Sequence, residues 1–321
     1  MCMKLFPLLL VATLFCFGAL PSSRAQLAGV SPMALRASTD GGIPLNEGFT
    51  LRRQVQEAQV RFVATDAAGK PVLGLHAEDI QVFDIGVPVR NLKSFALSRY
   101  QPLEVGVVVD LSESIGPQQQ RQALMAADLL REIFDARQDE AFVVGFSNTA
   151  RLLQAETTDI DLVRRALLNN PGRQGLTSLF DALMDTCRTE FARADNEHRQ
   201  RIMLLFSDGA DNLSMHGLDG AVQEALRVGV TVYAITSAEP YTRGFKNLQQ
   251  LTSETGGKVY AIPKKKDLAS LEAAMSESVR GEYTFTFSPA ITADGFHPVR
   301  IELPTHHELT LRANSGYYMG Q

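Results

Sequence analysis

The sequence predicts an α/β fold with a doubly wound, mostly parallel sheet and a small antiparallel β module beside it. Between residues 101 and 281, short apolar runs alternate with segments of helical periodicity, which is typical of a parallel sheet wrapped by helices. The apolar runs are nearly continuous, as expected for strands that are covered on both faces. On either side, residues 54–99 and 282–321 alternate polar and apolar side chains, which predicts antiparallel strands.

The first 25 residues are predicted to be a signal peptide. Lys4 precedes an apolar run from Leu5 to Leu20, and the small residues Ser23 and Ala25 suit cleavage after Ala25. A single-pass anchor is the alternative, but the run is short for a membrane span. We therefore expect an exported protein, periplasmic or extracellular, with no membrane span once the signal is removed.

The chain without its signal is acidic and has one cysteine. The signal carries two of the 31 basic residues and none of the 36 acidic ones, which leaves a net charge of −7. This charge argues against a nucleic-acid partner, which would require a basic surface. Cys2 and Cys16 belong to the signal, so Cys187 has no partner for an intrachain disulfide and is predicted to be a small buried residue of a helix.

The two flanks are predicted to pair with each other. Residues 26–53 contain Gly, Ser and Pro without a clear period, and we interpret them as a flexible lead-in. The segment 54–99 then shows strand-like alternation interrupted by turns, and residues 282–321 form a similar β-hairpin flank. Because an isolated hairpin is marginally stable, we expect the two flanks to form one small module.

Residues 101–281 are predicted to be one α/β domain. Its predicted strands are 103–111, 140–147, 201–209, 230–237 and 258–262, with 150–156 as a short antiparallel partner. Its predicted helices are 116–135, 159–169, 177–194, 217–229, 244–257 and 266–281. Parallel strands require such crossover connections, which supports the doubly wound arrangement.

Oxygen-bearing side chains cluster where two predicted strands end and one helix begins. Asp110 ends the first buried strand, Ser112 and Ser114 follow it, Asp208 ends a later strand, and Thr177 starts a helix. In open α/β sheets, ligands bind outside the carboxyl ends of the strands. Two carboxylates and three hydroxyls suit Mg²⁺, and also Mn²⁺ or Ca²⁺, better than Zn²⁺ or Cu²⁺. If the aspartates act through water, the ion can accept a further carboxylate from a partner protein.

This pattern resembles the von Willebrand factor A domain and its metal-ion-dependent adhesion site. The matching positions are Asp110, Ser112, Ser114, Thr177, Asp208 and Gly209. The resemblance implies that the two serines and the threonine coordinate the ion, with the two aspartates mostly in a water-mediated shell. It implies a non-enzymatic module that binds a protein ligand presenting an Asp or Glu carboxylate. The wider layout is similar to secreted bacterial proteins related to this family.

Two alternatives stay open. In the first, Ser112 or Ser114 caps the following helix and Asp208 satisfies turn amides, which gives a structural module whose metal site is vestigial or only stabilises loops. The second is a metal-dependent hydrolase, which is disfavoured because no histidine has ligand spacing and no general base is evident. Glu113 and Asp211, next to the candidate ligands, are expected to face solvent.

Overall fold

The structure is a computed structural model that describes residues 57–113, 119–170, 175–192, 199–262 and 268–320. The predicted signal peptide, the predicted lead-in and the candidate ligand Ser114 lie outside these residues. Within the part of the chain that is described, no helix is both long and apolar enough to cross a membrane.

Fourteen strands and six α-helices form from the described residues. The strands are β1 (Ala58–Thr65), β2 (Gln81–Asp84), β3 (Val87–Pro88), β4 (Leu92–Leu97), β5 (Leu103–Asp110), β6 (Glu140–Phe146), β7 (Ala150–Thr157), β8 (Gln200–Phe206), β9 (Val230–Thr236), β10 (Val259–Ala261), β11 (Tyr283–Phe287), β12 (Gly295–Glu302), β13 (Thr310–Ala313) and β14 (Gly316–Met319). The helices are α1 (Gln119–Ile133), α2 (Ile160–Leu168), α3 (Leu179–Thr186), α4 (Leu218–Arg227), α5 (Arg243–Glu254) and α6 (Leu268–Arg280).

A six-stranded sheet of order β10-β9-β8-β5-β6-β7 forms the centre of the α/β region. All its neighbouring strands are parallel except β7, which runs antiparallel to β6. Every residue of β5 is buried. Val107 packs in a core with α1 and α6, whereas its neighbour Val108 packs on the opposite face with α3 and α4. The predicted fold class is confirmed, and burial on both faces explains the continuous apolar runs.

The flanks pair in two antiparallel sheets rather than one. Their orders are β13-β1-β11-β4 and β14-β12-β2-β3, so strands from both flanks contribute to each sheet. The two sheets share one apolar core that includes Phe62, Val82, Phe285 and Tyr317. The prediction of antiparallel strands in both flanks is confirmed, and the shared core gives each sheet an apolar face to bury.

The predicted helix over residues 177–194 is shorter and less regular than expected. The α-helix α3 covers only Leu179–Thr186 and continues as a π-helical segment, Cys187–Phe191. Cys187 is fully buried, as predicted, and burial raises the pKa of its thiol well above the usual range. A buried protonated thiol is a packing residue rather than a reactive group.

A buried carboxylate joins the β module to the start of the central sheet. Glu282 lies between α6 and β11, and accepts hydrogen bonds from Gln200 on β8 and from Thr231 on β9. Burial raises the pKa of Glu282, while the charges of Arg61 and Arg312 oppose this rise. These partners lie on four strands: β8 and β9 of the central sheet, and β1 and β13 of the β module. The carboxylate therefore connects the module to the central sheet, at the end opposite the carboxyl ends of its parallel strands.

At the same end of the central sheet, opposite the carboxyl ends of its parallel strands, Glu156 on β7 lies close to Glu140 on β6. Burial and the negative charges of Glu140 and Glu104 raise the pKa of Glu156 from 4.5 to about 7, and Arg199 opposes the rise. The folded state therefore holds this proton more tightly than the unfolded chain. Between about pH 4.5 and 7, rising pH removes a proton more easily from the unfolded state, so stability falls across this window.

Glu156→Gln should remove this pH dependence. The neutral amide cannot ionise, so the variant should be more stable than the wild type at pH 8 and nearly equal to it at pH 4, below the unfolded pKa. Urea unfolding at both pH values measures the difference. Glu239→Gln, at an exposed position, is the matched control; it retains Glu156, so its stability should fall with rising pH as that of the wild type does. An equal effect of Glu156→Gln at both pH values would contradict the assignment.

Candidate metal centre

Three loops meet at the carboxyl edge of the central sheet and are joined by hydrogen bonds. The Glu113 amide donates to the Gly175 carbonyl at 3.5 Å, which links the loop after β5 to the loop before α3. The Asn212 amide donates to the Thr177 carbonyl at 3.0 Å, which links the loop before α3 to the loop after β8. The sheet thus brings together segments of the chain that lie about a hundred residues apart.

Asp110 is the buried centre of this edge. Its side chain has no exposed surface. One carboxylate oxygen, Oδ1, accepts from the Ser112 amide at 2.9 Å, and Oδ2 accepts from the Ser207 hydroxyl at 3.0 Å. Burial raises the pKa of Asp110, the hydrogen bonds from Ser112 and Ser207 oppose this, and the negative charge of Asp208 adds to the rise. The carboxylate is therefore fixed in orientation, with a second acid near it.

Ser112 and Ser207 support Asp110 from two loops. The Ser112 side chain is buried and also hydrogen-bonds to Asp110. The Ser207 hydroxyl, besides donating to Asp110, accepts from the Gly209 amide at 3.0 Å. Ser207 thus connects Asp110 to the turn that contains Asp208. Sequence reasoning missed Ser207, although a hydroxyl at the end of a buried apolar run was a usable signal.

Thr177 is buried and held by its backbone. Its amide donates to the Asn212 side-chain oxygen at 2.8 Å, and its carbonyl accepts from the Asn212 amide. The adjacent Asp211 accepts from the Leu179 amide at 2.8 Å and from the Ser214 hydroxyl at 2.5 Å. The expectation that Asp211 faces solvent is therefore wrong, because its carboxylate caps the start of α3. Glu113 is exposed, as expected.

Two glycines let α5 approach the turn that contains Asp208. Asp208 is half-buried, and its carboxylate accepts from the Ala210 amide at 2.9 Å. Gly209 has a φ of 76°, and a Cβ there would lie 2.2 Å from the Gly244 carbonyl oxygen. A Cβ on Gly244 would in turn lie 2.3 Å from the Asp208 carbonyl oxygen. Only glycine fits at these two positions, and their contact fixes the position of Asp208 relative to α5.

The donor set fits a hard divalent cation better than a soft one. The described candidate residues offer two carboxylates and two hydroxyls, and no group of three or more His, Cys, Asp or Glu side chains in the described chain is placed to hold a metal. Both Asp110 oxygens already accept hydrogen bonds, which suits a carboxylate that holds metal-bound water through its remaining lone pairs. Oxygen ligands with retained waters are what Mg²⁺ prefers.

The comparison with protein families finds one match, which lies within the α/β region. Residues 105–210 match the von Willebrand factor type A domain. The resemblance predicted from the sequence is confirmed. Domains of this family mediate protein–protein interactions, and some members bind a divalent metal at a metal-ion-dependent adhesion site. All five candidate ligands lie within the matched residues.

Several solved structures are similar at low sequence identity. The conserved hypothetical protein BatB from Bacteroides thetaiotaomicron is 16% identical, with 56% of this chain and 99% of that chain covered and a TM-score of 0.46. Proximal thread matrix protein 1 from the mussel byssus, solved with a zinc-occupied MIDAS motif, is 18% identical over 56% of this chain and 48% of that chain, with a TM-score of 0.46. A von Willebrand factor type A protein from Catenulispora acidiphila is 13% identical over 84% of this chain and 76% of that chain, also with a TM-score of 0.46. No curated protein sequence matches the chain.

Gly209→Ala should destabilise the fold by about 1–3 kcal/mol, because alanine is strained at this φ and its Cβ would meet the Gly244 carbonyl. Urea unfolding measures the change. Gly74→Ala is the control: Gly74 has no positive φ and has open space around its Cβ position, so the change should stay within about 0.5 kcal/mol. Equal stability of the two variants would contradict the close approach of α5.

Proposed function

We propose that this chain is an exported, non-enzymatic binding module. It uses a divalent cation to bridge to an Asp or Glu carboxylate of a partner protein, and Mg²⁺ is the first candidate for this ion. The observation that carries the proposal is the Asp110 carboxylate. It is fully buried at a strand end, oriented by Ser112 and Ser207, and adjacent to the charge of Asp208. A nearby cation would stabilise the ionised form of this group, which burial and a like charge both disfavour.

In this proposal, Ser112, Ser114 and Thr177 coordinate the ion, while Asp110 and Asp208 act mostly through water. Neutral hydroxyls leave much of the charge of the cation uncompensated. A carboxylate from outside can then complete the coordination, and the bound ion supplies the attraction between the two proteins. Mn²⁺ and Ca²⁺ accept the same oxygen ligands and are alternatives to Mg²⁺.

The cation site can be tested by isothermal titration of Mg²⁺ into the wild type, Asp110→Asn and Thr177→Val. Both variants keep the size of the side chain but remove a charge or a hydroxyl, so Mg²⁺ affinity should fall at least about tenfold. Asp219→Asn, an exposed change on α4, is the control and should bind as the wild type does. Circular dichroism checks that each variant is folded. Equal affinity in folded Asp110→Asn would reject the assignment.

The partner can be sought with immobilised protein. Envelope extract from the source organism is passed over the wild type and over Asp110→Asn in Mg²⁺, and both columns are eluted with EDTA. The proposal expects a protein that elutes from the wild type alone. Proteins that elute equally from both columns would argue against a metal bridge.

A structural role for the site is the second candidate, and the loop contacts favour it. Asp208 accepts from an amide of its own turn, and Asp211 caps α3, so part of the acidic cluster already stabilises loops. A cation that binds only the native state raises the melting temperature. If chelator lowers the melting temperature strongly and no metal-dependent partner is captured, the structural role is the better account.

A metal-dependent hydrolase is kept as a third candidate because of His216. Its Nδ1 lies 2.7 Å from Asp181 Oδ1 in the first turn of α3, and its ring is more than half exposed. An imidazole oriented by a carboxylate can act as a general base. Turnover on a panel of esters and phosphate esters, lost in both Asp110→Asn and His216→Gln, would replace the binding proposal with this one.

A further inference from the structure

The loops around the candidate metal centre expose four large apolar side chains. They are Leu176, Leu213, Met215 and Tyr241, with exposed fractions of 50%, 40%, 91% and 79%. Single exposed apolar residues are common on protein surfaces, but several on loops around one site are typical of an interaction surface. We call these four residues the apolar rim.

Three members of the apolar rim lie on the α3 side of the site. Leu176 directly precedes Thr177, and the Leu213 amide donates to the Thr177 carbonyl at 3.1 Å. The Met215 amide donates to Asp181 Oδ2 at 2.8 Å, in the first turn of α3. These contacts place the backbone of Leu176 and Leu213 next to the candidate ligand Thr177, and that of Met215 next to the first turn of α3.

The fourth member lies on the α5 side. Tyr241 directly precedes Thr242, whose hydroxyl accepts from the Phe245 amide and caps α5. The first turn of α5 contains Gly244, which packs against the turn of Asp208. The apolar rim therefore has parts next to Thr177 and next to Asp208, with the candidate metal centre between them.

The loop that carries Leu213 and Met215 is held in place by α3. Asp211 and Ser214 bond the first backbone amides of α3, and the Asp181 carboxylate accepts from the amides of Met215 and His216. Because these bonds fix the backbone before any partner arrives, binding on this loop costs less conformational entropy.

The charges near the site favour a partner with few carboxylates. Glu113 follows Ser112, and Glu239 lies in the loop of Tyr241; both side chains are exposed. Arg243 and Lys246, exposed in the first turns of α5, offset these two negative charges. Because these positive and negative charges balance, the loops supply no net positive charge that would attract a polyacidic surface.

We propose that the apolar rim is a docking surface for a segment of the partner that carries one Asp or Glu flanked by apolar side chains. The inference rests on the proposed function, because the bridging carboxylate fixes the segment at the centre of the rim. Contact between the flanking side chains and the rim then supplies affinity by burying apolar surface.

Defined peptides on a sensor surface test this inference. The first peptide has one Glu between two leucines on each side, the second has glycines in place of the leucines, the third has Gln in place of the Glu, and the fourth is hexaglutamate. In Mg²⁺, the full chain should bind the leucine-flanked Glu peptide at least about tenfold more tightly than each of the others. EDTA should abolish this binding.

Variants of the chain provide the matching test. Leu213→Ser combined with Met215→Ser should reduce binding of the leucine-flanked peptide to that of the glycine-flanked one, while Mg²⁺ affinity stays unchanged. Tyr100→Ser is the control, because Tyr100 is 81% exposed but precedes β5, at the opposite end of the sheet. It should bind the peptide as the wild type does.

The outcomes separate the rim from the metal bridge. Equal, Mg²⁺-dependent binding of the leucine- and glycine-flanked peptides would overturn the docking surface and leave the metal bridge intact. Tightest binding of hexaglutamate would also overturn it. Binding that persists in EDTA, or an equal affinity for the Gln peptide, would overturn the metal bridge and this inference with it.

Discussion

The burial of the Asp110 carboxylate is the constraint on which the carboxyl edge of the sheet depends. An ionised carboxylate removed from water costs several kcal/mol unless other groups replace its hydration. Ser112 and Ser207 donate to both oxygens, but Asp208 adds a like charge nearby. The protein contacts therefore offset only part of the cost. A cation beside Asp110 and Asp208 would offset the rest, so metal binding and the stability of these loops are expected to be coupled.

The rest of the site is built by backbone contacts between distant loops. Asn212 binds both the amide and the carbonyl of Thr177, and Gly209 packs against Gly244 without a side chain between them. Such contacts position a residue without using its side chain. The hydroxyls and carboxylates of the candidate site are thus supported by residues outside the candidate ligand set. Support of this kind fixes the geometry of a binding site before its ligand arrives.

The parts of the fold that were predictable from the sequence are those with a local signal. The run around Val107 and Val108 is apolar because successive side chains enter different cores, and this pattern is visible in eight residues. The division of the flanks into two sheets has no such signal, because pairing between residues as distant as Phe62 and Tyr283 is set by the whole fold. Likewise, Asp211 and Asn212 look like ordinary loop residues, and their bonds to α3 and Thr177 span more than thirty positions.

Two central strands, β5 and β8, connect the β module to the candidate metal centre. β5 ends at Asp110, and β8 leads into Ser207, which bonds to Asp110; at its other end β8 begins with Gln200, which bonds to Glu282. Both strands are hydrogen-bonded to neighbours on each side and buried on both faces, so neither can slide alone. Glu282 also follows α6, and it connects this helix to the base of the sheet. Through Glu282, the module therefore contacts the starts of central strands, at the end of the sheet opposite the candidate metal centre.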